Sequence, residues 1–504
     1  MKKKTATIFS LILCFLMILS LVCSCGQTTQ TTAETSAAAG TAAQTAEGTT
    51  PSTVDEEGYL LSDLPALDYS ADPDVNILYW SDVEMPEFTS EGVSGEIIDS
   101  AIFSRNTRVE EILKVKLNWV PQAGRNSALS EYCSKVHNII ASGNHEADIL
   151  AGYSQTIASA TYAGNTLNLS KNAYIDFEKP WWPKSLTDEA KIGDNIYFVS
   201  GDISTNALYF MYCTFFNKQM LTDYNLENPY DLVENNQWTI DKMLTMATGI
   251  YADVNGSNAK DYGDKFGVII PWLSIDAYFY SCGLRTVDHT DTGLITVSES
   301  YIGEKAQDLV EQLNKILFQG NDGLWKKEDT GTINDQFATG LVLFFTQRTK
   351  DAINHFSQDP SLSYGIVPTP KYDSNQENFL TCEANPFTLY ALIKDCEDED
   401  KMGAVLECMA STAYRTTSPA LYEVTLKSRY AQDAITSRMY DIIRANIVFD
   451  VGRIFGTSLN QYTQTEFRNL VGAGQTNWTV TAKKFAPTLQ IYLDMMNDEL
   501  GSTD

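Results

Sequence analysis

Four histidines, nine cysteines and 65 acids are the side chains with which this 504-residue sequence could do chemistry. Their spacing decides which chemistry is open. His145-Glu146 is followed by Ala147-Asp148-Ile149, so the H-E-x-x-H zinc helix is absent. No G-x-x-x-x-G-K-[ST] loop is present to cradle a triphosphate. Gly472-Ala473-Gly474 lacks a third glycine and a leading strand, and no G-x-S-x-G elbow occurs. Asp253-x-Asn255-x-Ser257, with Asp261 and Asp264 behind it, sets oxygens at alternate positions as a calcium loop does. However, Gly256 stands in the fourth place rather than the sixth, and an aspartate rather than a glutamate holds the twelfth. A turn-rich loop is the competing reading, and no metal is assigned. Two carboxylates could hydrolyse a glycosidic bond; the acids leave that open, but no motif marks it. No cofactor is expected and no catalytic residue is named.

The cysteines point to a different chemistry. Lys2, Lys3 and Lys4 precede a run from Ile8 to Val22 that is apolar apart from Ser10 and Ser20. That is the layout of a secretory leader, with a membrane-spanning helix as its rival. Val22-Cys23-Ser24-Cys25 closes the run and resembles a bacterial lipobox, with small Ser24 before the acceptor Cys25. Cys23 is a poorer acceptor because bulky Val22 precedes it. The resemblance implies that residues 1–24 are a leader, cleaved to leave a diacylglycerol on the Cys25 sulfur, so that the protein is anchored on the outer face of a cell membrane. Gly26 to Thr53 contains no aromatic or large aliphatic residue, and only Glu34 and Glu47 are charged. Such a stretch cannot offset the entropy of ordering and reads as a flexible spacer with a reach of about 30 Å. Six cysteines remain: Cys133, Cys213, Cys282, Cys382, Cys396 and Cys408. They form no C-x-x-C pair, no disulfide pairing can be chosen among them, and most sit in apolar context as small buried hydrophobes.

The formal charge is −29, and loss of the three leader lysines brings it to about −32. A chain this acidic has no electrostatic footprint for nucleic acid. Neutral or cationic ligands suit it better, and simple solubility is the bland alternative. The apolar fraction of 43% is that of an ordinary globule. The roughly 450 residues after the spacer suit two or three domains.

The elements that would position a site follow from periodicity. Residues 54–73 read as an extended arm. Val75–Trp80 reads as a buried strand, Glu96–Lys114 as a helix, and Val115–Val120 as an alternating strand. Ser127–Ile140 is a helix stopped by Gly143, and Ala147–Ala151 is a third strand. This strand–helix alternation predicts a doubly wound α/β unit, whose ligands lie beyond the carboxyl ends of its strands. That places Ser81-Asp82 and Gly152-Tyr153-Ser154-Gln155 at a candidate site. Further on, strands are predicted at Asn195–Val199, Tyr209–Phe216, Phe266–Ile270, Leu341–Phe345 and Tyr364–Pro368. Helices are predicted at Ile240–Ile250, Tyr301–Leu317 and Ala404–Ala413, and over most of Leu421–Asp498.

In order along the chain, YFMYCTFFNKQML (209–221), FGVIIPWLSIDAYFYSCG (266–283), the LVLFF run within Gln336–Arg348, and YGIVPTP (364–370) resemble landmarks of the bacterial extracellular solute-binding proteins, family 1, which serve ABC importers. The resemblance spans roughly residues 74–500 and includes the lipobox and spacer. It implies an α/β fold of the two-lobe, type II periplasmic-binding-protein kind, closing on ligand about a hinge. Hinge crossings are expected near Ile203–Ala207, Thr381–Ala384 and Thr416–Pro419. The N-terminal lobe would be 54–203 with 383–416, and the C-terminal lobe 204–382 with 417–504. The implied function is capture of a neutral carbohydrate, by preference an oligosaccharide, for delivery to ABC permease subunits by a monomeric binding protein that is not an enzyme.

Sugars offer apolar ring faces to aromatic planes and hydroxyl edges to carboxylates, amides and guanidiniums. The expected aromatic platforms are therefore Trp80, Tyr153, Tyr209 and Trp272. The expected hydrogen-bonding residues are Asp82, Gln155, Asp202, Gln347, Arg348 and Arg453. Trp181-Trp182, between Pro180 and Pro183, reads as packing. A surface-anchored glycan-degrading enzyme and a peptide or metabolite receptor of the same shape remain open as alternatives.

Overall fold

The computed structural model describes residues 53–92, 95–327, 330–358, 361–431 and 433–502. The leader, Cys25 and nearly all of the spacer lie outside the described residues. Among the described residues thirteen strands occur in chain order: β1 (Asp74–Trp80), β2 (Lys116–Gln122), β3 (Ile149–Tyr153), β4 (Tyr212–Asn217), β5 (Phe266–Pro271), β6 (Val287–His289), β7 (Ile295–Val297), β8 (Gly323–Lys326), β9 (Val342–Arg348), β10 (Tyr364–Val367), β11 (Thr381–Cys382), β12 (Thr388–Leu392) and β13 (Ile447–Val448).

They build two principal sheets. The first has the order β12-β3-β1-β2, with β1 parallel to both neighbours and β12 antiparallel at the edge. The second has the order β10-β4-β9-β5-β8, with β4 antiparallel between β10 and β9. The chain passes between the sheets after β3, again between β10 and β12, and a third time after the helix Glu399–Arg415. Two of these passages are joined: β11 runs parallel to β13, and Met211 bridges to Glu383.

Local signals explain most of the first lobe. The helix Ile97–Leu113 buries Ile98, Ile102, Val109 and Leu113 at helical spacing. The helix Leu129–Ser142 ends at Gly143, whose φ of 60° lets its N–H reach the Ile139 and Ile140 carbonyls. Helix Glu399–Arg415 packs on Ile97–Leu113 although some 300 residues separate them. Trp181 and Trp182 are buried core, and both indole N–H groups donate to the Glu407 carboxylate, at 2.8 and 2.7 Å. The arm of residues 54–73 is fastened to this lobe at several points. Tyr59 stands edge-on to Tyr414 at 5.4 Å, Asp63 pairs with Lys179 at 2.6 Å, and Lys401 Nζ donates to the Asp72 carbonyl at 2.6 Å.

Three expected elements differ. The third strand runs two residues further than expected, to Tyr153, because β12 pairs Leu389 with Gly152 and Thr388 with Tyr153. Ser154 and Gln155 then open the helix Ser154–Tyr162 instead of a loop. Asn195–Val199 makes only isolated bridges, with Val199 on Tyr390. Tyr209 ends a short helix, Asn206–Tyr209, and the strand begins at Tyr212.

Among the described residues no helix is long and apolar enough to cross a membrane. The six cysteines Cys133, Cys213, Cys282, Cys382, Cys396 and Cys408 are free thiols. In the calcium-like loop, Asp253 accepts from the backbone N–H groups of Gly256 and Asn258 at 2.6 and 2.9 Å, and Asn255 donates to Asp261 at 2.7 Å. Those oxygens are occupied in folding the turn.

Candidate functional site

The carboxyl ends of the strands meet where the chain passes between the sheets. Arg453 is the centre of this region. It sits in a short helix, Val451–Ile454, whose N-cap Asp450 accepts from the Arg453 backbone N–H, and its Nε and Nη2 donate to Asp276 Oδ2 at 3.1 and 3.0 Å. Arg468 closes on the same carboxylate from the other side, with Nε 2.6 Å from Oδ1. Burial pushes the Asp276 carboxyl up, and the two guanidiniums overcome that and hold it below its usual range. Arg453 Nη1 also donates to the Glu383 carbonyl in the second passage. The carbonyl of Arg453 accepts from Gln155 Nε2 at 3.5 Å, and Thr457 Oγ1 donates to Gln155 Oε1 at 3.3 Å. Gln155 therefore ties the first lobe to the tail of the chain.

Two aromatic planes and a second set of cations adjoin. Trp272 follows β5 and is half-buried, with the Arg468 guanidinium 5.0 Å and Lys327 Nζ 5.5 Å from its ring centroid. Arg348 ends β9 directly opposite Tyr212, and Tyr212 OH donates to the Leu273 carbonyl at 3.3 Å. That link brings the ends of β4, β9 and β5 together. Arg348 and Lys350 both lie over Phe210, at 5.3 and 5.1 Å. Lys350 then crosses to the first lobe, where Glu84 after β1 accepts from it at 2.5 Å. Burial raises the Glu84 carboxyl, and Lys350 with Arg348 more than offsets this, leaving it below its usual range. Tyr153 completes the region: burial pushes its phenol up to about 12, and Arg453 and Arg468 pull it partly back.

Of the ten residues singled out from sequence, Tyr153, Gln155, Trp272, Arg348 and Arg453 are brought together here. The others have different employment. Trp80 is 1% exposed and is a correction to the expected platform. Its indole N–H donates to Thr388 Oγ1 at 3.0 Å and its ring meets Tyr153 edge-on, so it presents no open face. Asp82 accepts from the backbone N–H of Gly124 at 2.8 Å and pairs with Arg125 Nε at 3.1 Å, so it fastens the β2–helix loop. Tyr209 is buried, and its carbonyl accepts from Thr349 Oγ1 at 2.8 Å. Gln347 is buried, with Nε2 donating to Asn334 at 3.4 Å. Asp202 lies instead in a cavity of about 370 Å³ lined by Pro183, Leu208 and Phe449, paired with Arg444 at 3.1 Å.

Sequence reasoning missed Asp276, Arg468, Phe210, Lys350 and Glu84. A signal existed for Asp276, a lone acid inside the apolar run WLSIDAYFY. An ion buried in such a run requires a partner. Among the described residues no group of three or more His, Cys, Asp and Glu side chains could hold a metal ion.

No family model and no curated protein matches the sequence. Solved structures similar to it in fold include an ABC substrate-binding protein of Listeria monocytogenes in complex with cycloalternan (14% identity, covering 86% of this chain and 100% of that one, TM-score 0.50). Others are a solute-binding protein of an ABC transporter from Thermotoga lettingae bound with α-D-tagatose (12%, 84% and 100%, 0.52), and the galacto-N-biose-/lacto-N-biose I-binding protein of Bifidobacterium longum in complex with lacto-N-biose (10%, 84% and 99%, 0.52). At these identities the likeness is one of fold.

Proposed function

We propose, starting from a two-lobe, type II periplasmic-binding-protein-like fold, that this chain captures a carbohydrate, by preference an oligosaccharide, in the groove between its lobes. It then hands that ligand unchanged to the permease subunits of an ABC importer. One observation carries the reading: Trp272, Tyr153, Arg348 and Arg453 converge from both lobes where the chain crosses between them. An aromatic face among charged hydrogen-bonding groups is what a pyranose ring requires. Lobe closure would bury the ligand and present a new surface to the permease. In the same reading the protein acts as a monomer on the outer face of the membrane, held through a lipid on Cys25. The solved structures of like fold support it, since they are described as binding proteins of transporters in complex with sugars.

The test is a thermal-shift screen of the mature chain against oligosaccharides, followed by calorimetry and small-angle scattering. A bound sugar should raise Tm, contract the particle and come back chemically intact. Absence of any shift across the screen, or release of cleaved product, would sink the proposal. For the anchor, Cys25→Ala should leave the protein unlipidated and soluble; a variant that is lipidated all the same counts against it.

A further inference from the structure

Cations gather between the lobes of a chain that is acidic as a whole. The sequence carries 65 acids against 36 lysines and arginines, yet Arg348, Lys350, Arg453 and Arg468 all converge there. Arg453 and Arg468 share a single carboxylate, Asp276. The nearby Glu383 carboxyl is raised well above its usual range by burial, with Arg453 only partly opposing this. Lys350 has Glu84. Arg348 is paired more loosely: Asp351 Oδ2 stands 3.8 Å from its Nε, an ion pair beyond hydrogen-bonding distance, and burial raises the Asp351 carboxyl. Arg348 is 7% exposed and its Nε makes no hydrogen bond.

The unmade bonds cluster. Trp272 Nε1 and Ser274 Oγ, just past the end of β5, are also buried without a partner. The Tyr212–Leu273 hydrogen bond and the Tyr212–Arg348 register place them at the same end of the sheet as Arg348. A buried polar group left unpaired is costly, so these groups are poised to be completed by a ligand. Two of the three groups, Arg348 Nε and Trp272 Nε1, are obligate donors. A neutral hydroxyl both donates and accepts. A carboxylate only accepts and fits the side-on fork of a guanidinium.

We propose that the groove takes an acidic carbohydrate, one that bears a hexuronate carboxylate. Arg348 receives that carboxylate, Trp272 covers the pyranose face, and Asp351 Oδ2, which makes no hydrogen bond, accepts from a ring hydroxyl. The inference rests on the carbohydrate reading above and narrows it.

The experiment is calorimetry on the mature chain with matched sets. The acidic set is trigalacturonate, trimannuronate and a hyaluronan tetrasaccharide. The neutral set is galactotriose, mannotriose and a chito-oligosaccharide. At least one acidic member should bind about tenfold or more tighter than its neutral counterpart, and added salt should weaken it. Arg348→Gln should lower that affinity by roughly 30-fold or more at unchanged Tm, and Arg348→Lys, which keeps charge but loses the fork, should lower it less. The salt dependence of the unaltered protein decides the matter if Arg348→Gln does not fold. Equal or tighter binding of the neutral set, insensitive to salt, overturns the acidic assignment and leaves the carbohydrate reading standing. Binding of neither set removes both.

Discussion

Glu407 and Glu383 are equally buried, each 2% exposed, and they are held in opposite ways. Glu407 lies in the first lobe under the helix Glu399–Arg415. It accepts from two indole N–H groups and, at 3.4 Å, from the Asp176 backbone. Glu383 lies in the passage between lobes, and neither of its carboxyl oxygens has a hydrogen-bond partner. Arg348 and Trp272, nearby, show the same deficit. A scaffold completes its buried polar groups internally, because each one left open lowers stability. A groove that must receive something keeps some of them open. Polar satisfaction, rather than burial or residue type, separates these two carboxyl groups.

The contrast can be broken at several points. The largest effect is expected from Asp276→Ala, which deprives two buried guanidiniums of their shared carboxylate. A loss of about 3–5 kcal/mol in chemical denaturation is expected. A loss under about 1 kcal/mol would mean that the arginines are stabilised by other groups. Glu407→Ala should follow at about 2–4 kcal/mol, since it strands the Trp181 and Trp182 N–H groups. Ligand affinity of the folded fraction should be unchanged, and a fall in affinity would contradict a purely structural role.

A pH titration sharpens the same point. Burial, partly offset by the indole hydrogen bonds, raises Glu407 from 4.5 to about 7. Burial, partly offset by Arg285, does the same for Glu189. A raised folded-state value means that the native state holds the proton more tightly. Both contributions are therefore complete below pH 4.5 and are lost as pH rises to about 7. Tm should decline across that window, and Glu407→Gln should flatten part of the slope. A Tm that rises with pH there would be the wrong sign. The smallest effect belongs to Glu383→Gln, expected within about 1 kcal/mol of the parent, because no internal bond is removed. A loss as large as that of Glu407→Ala would erase the distinction between the two sites.

Much of the fold is legible in local pattern. The apolar run that ends at Trp80, the helical spacing of Ile98, Ile102 and Val109, the stop at Gly143 and the apolar runs of β5 and β9 need no distant partner. The end of β3 was not legible, because β12 arrives more than 230 residues later to extend it. The site divides along the same line. Tyr153, Trp272 and Arg348 stand at strand ends, where the strand-end rule looks for them. Lys350 with Glu84, and Arg468 with Asp276, are meetings of residues 266 and 192 positions apart, and no local window contains both partners. Trp80 also stood at a strand end, but alternation turned its ring into the core, which position along the strand does not disclose.

The arm of residues 54–73 has a mechanical consequence. Its anchors, Tyr414, Lys179, Lys401 and the Leu113 carbonyl, all belong to one lobe. A pull applied at Thr53 is therefore borne first by that half, as by a fixed bracket.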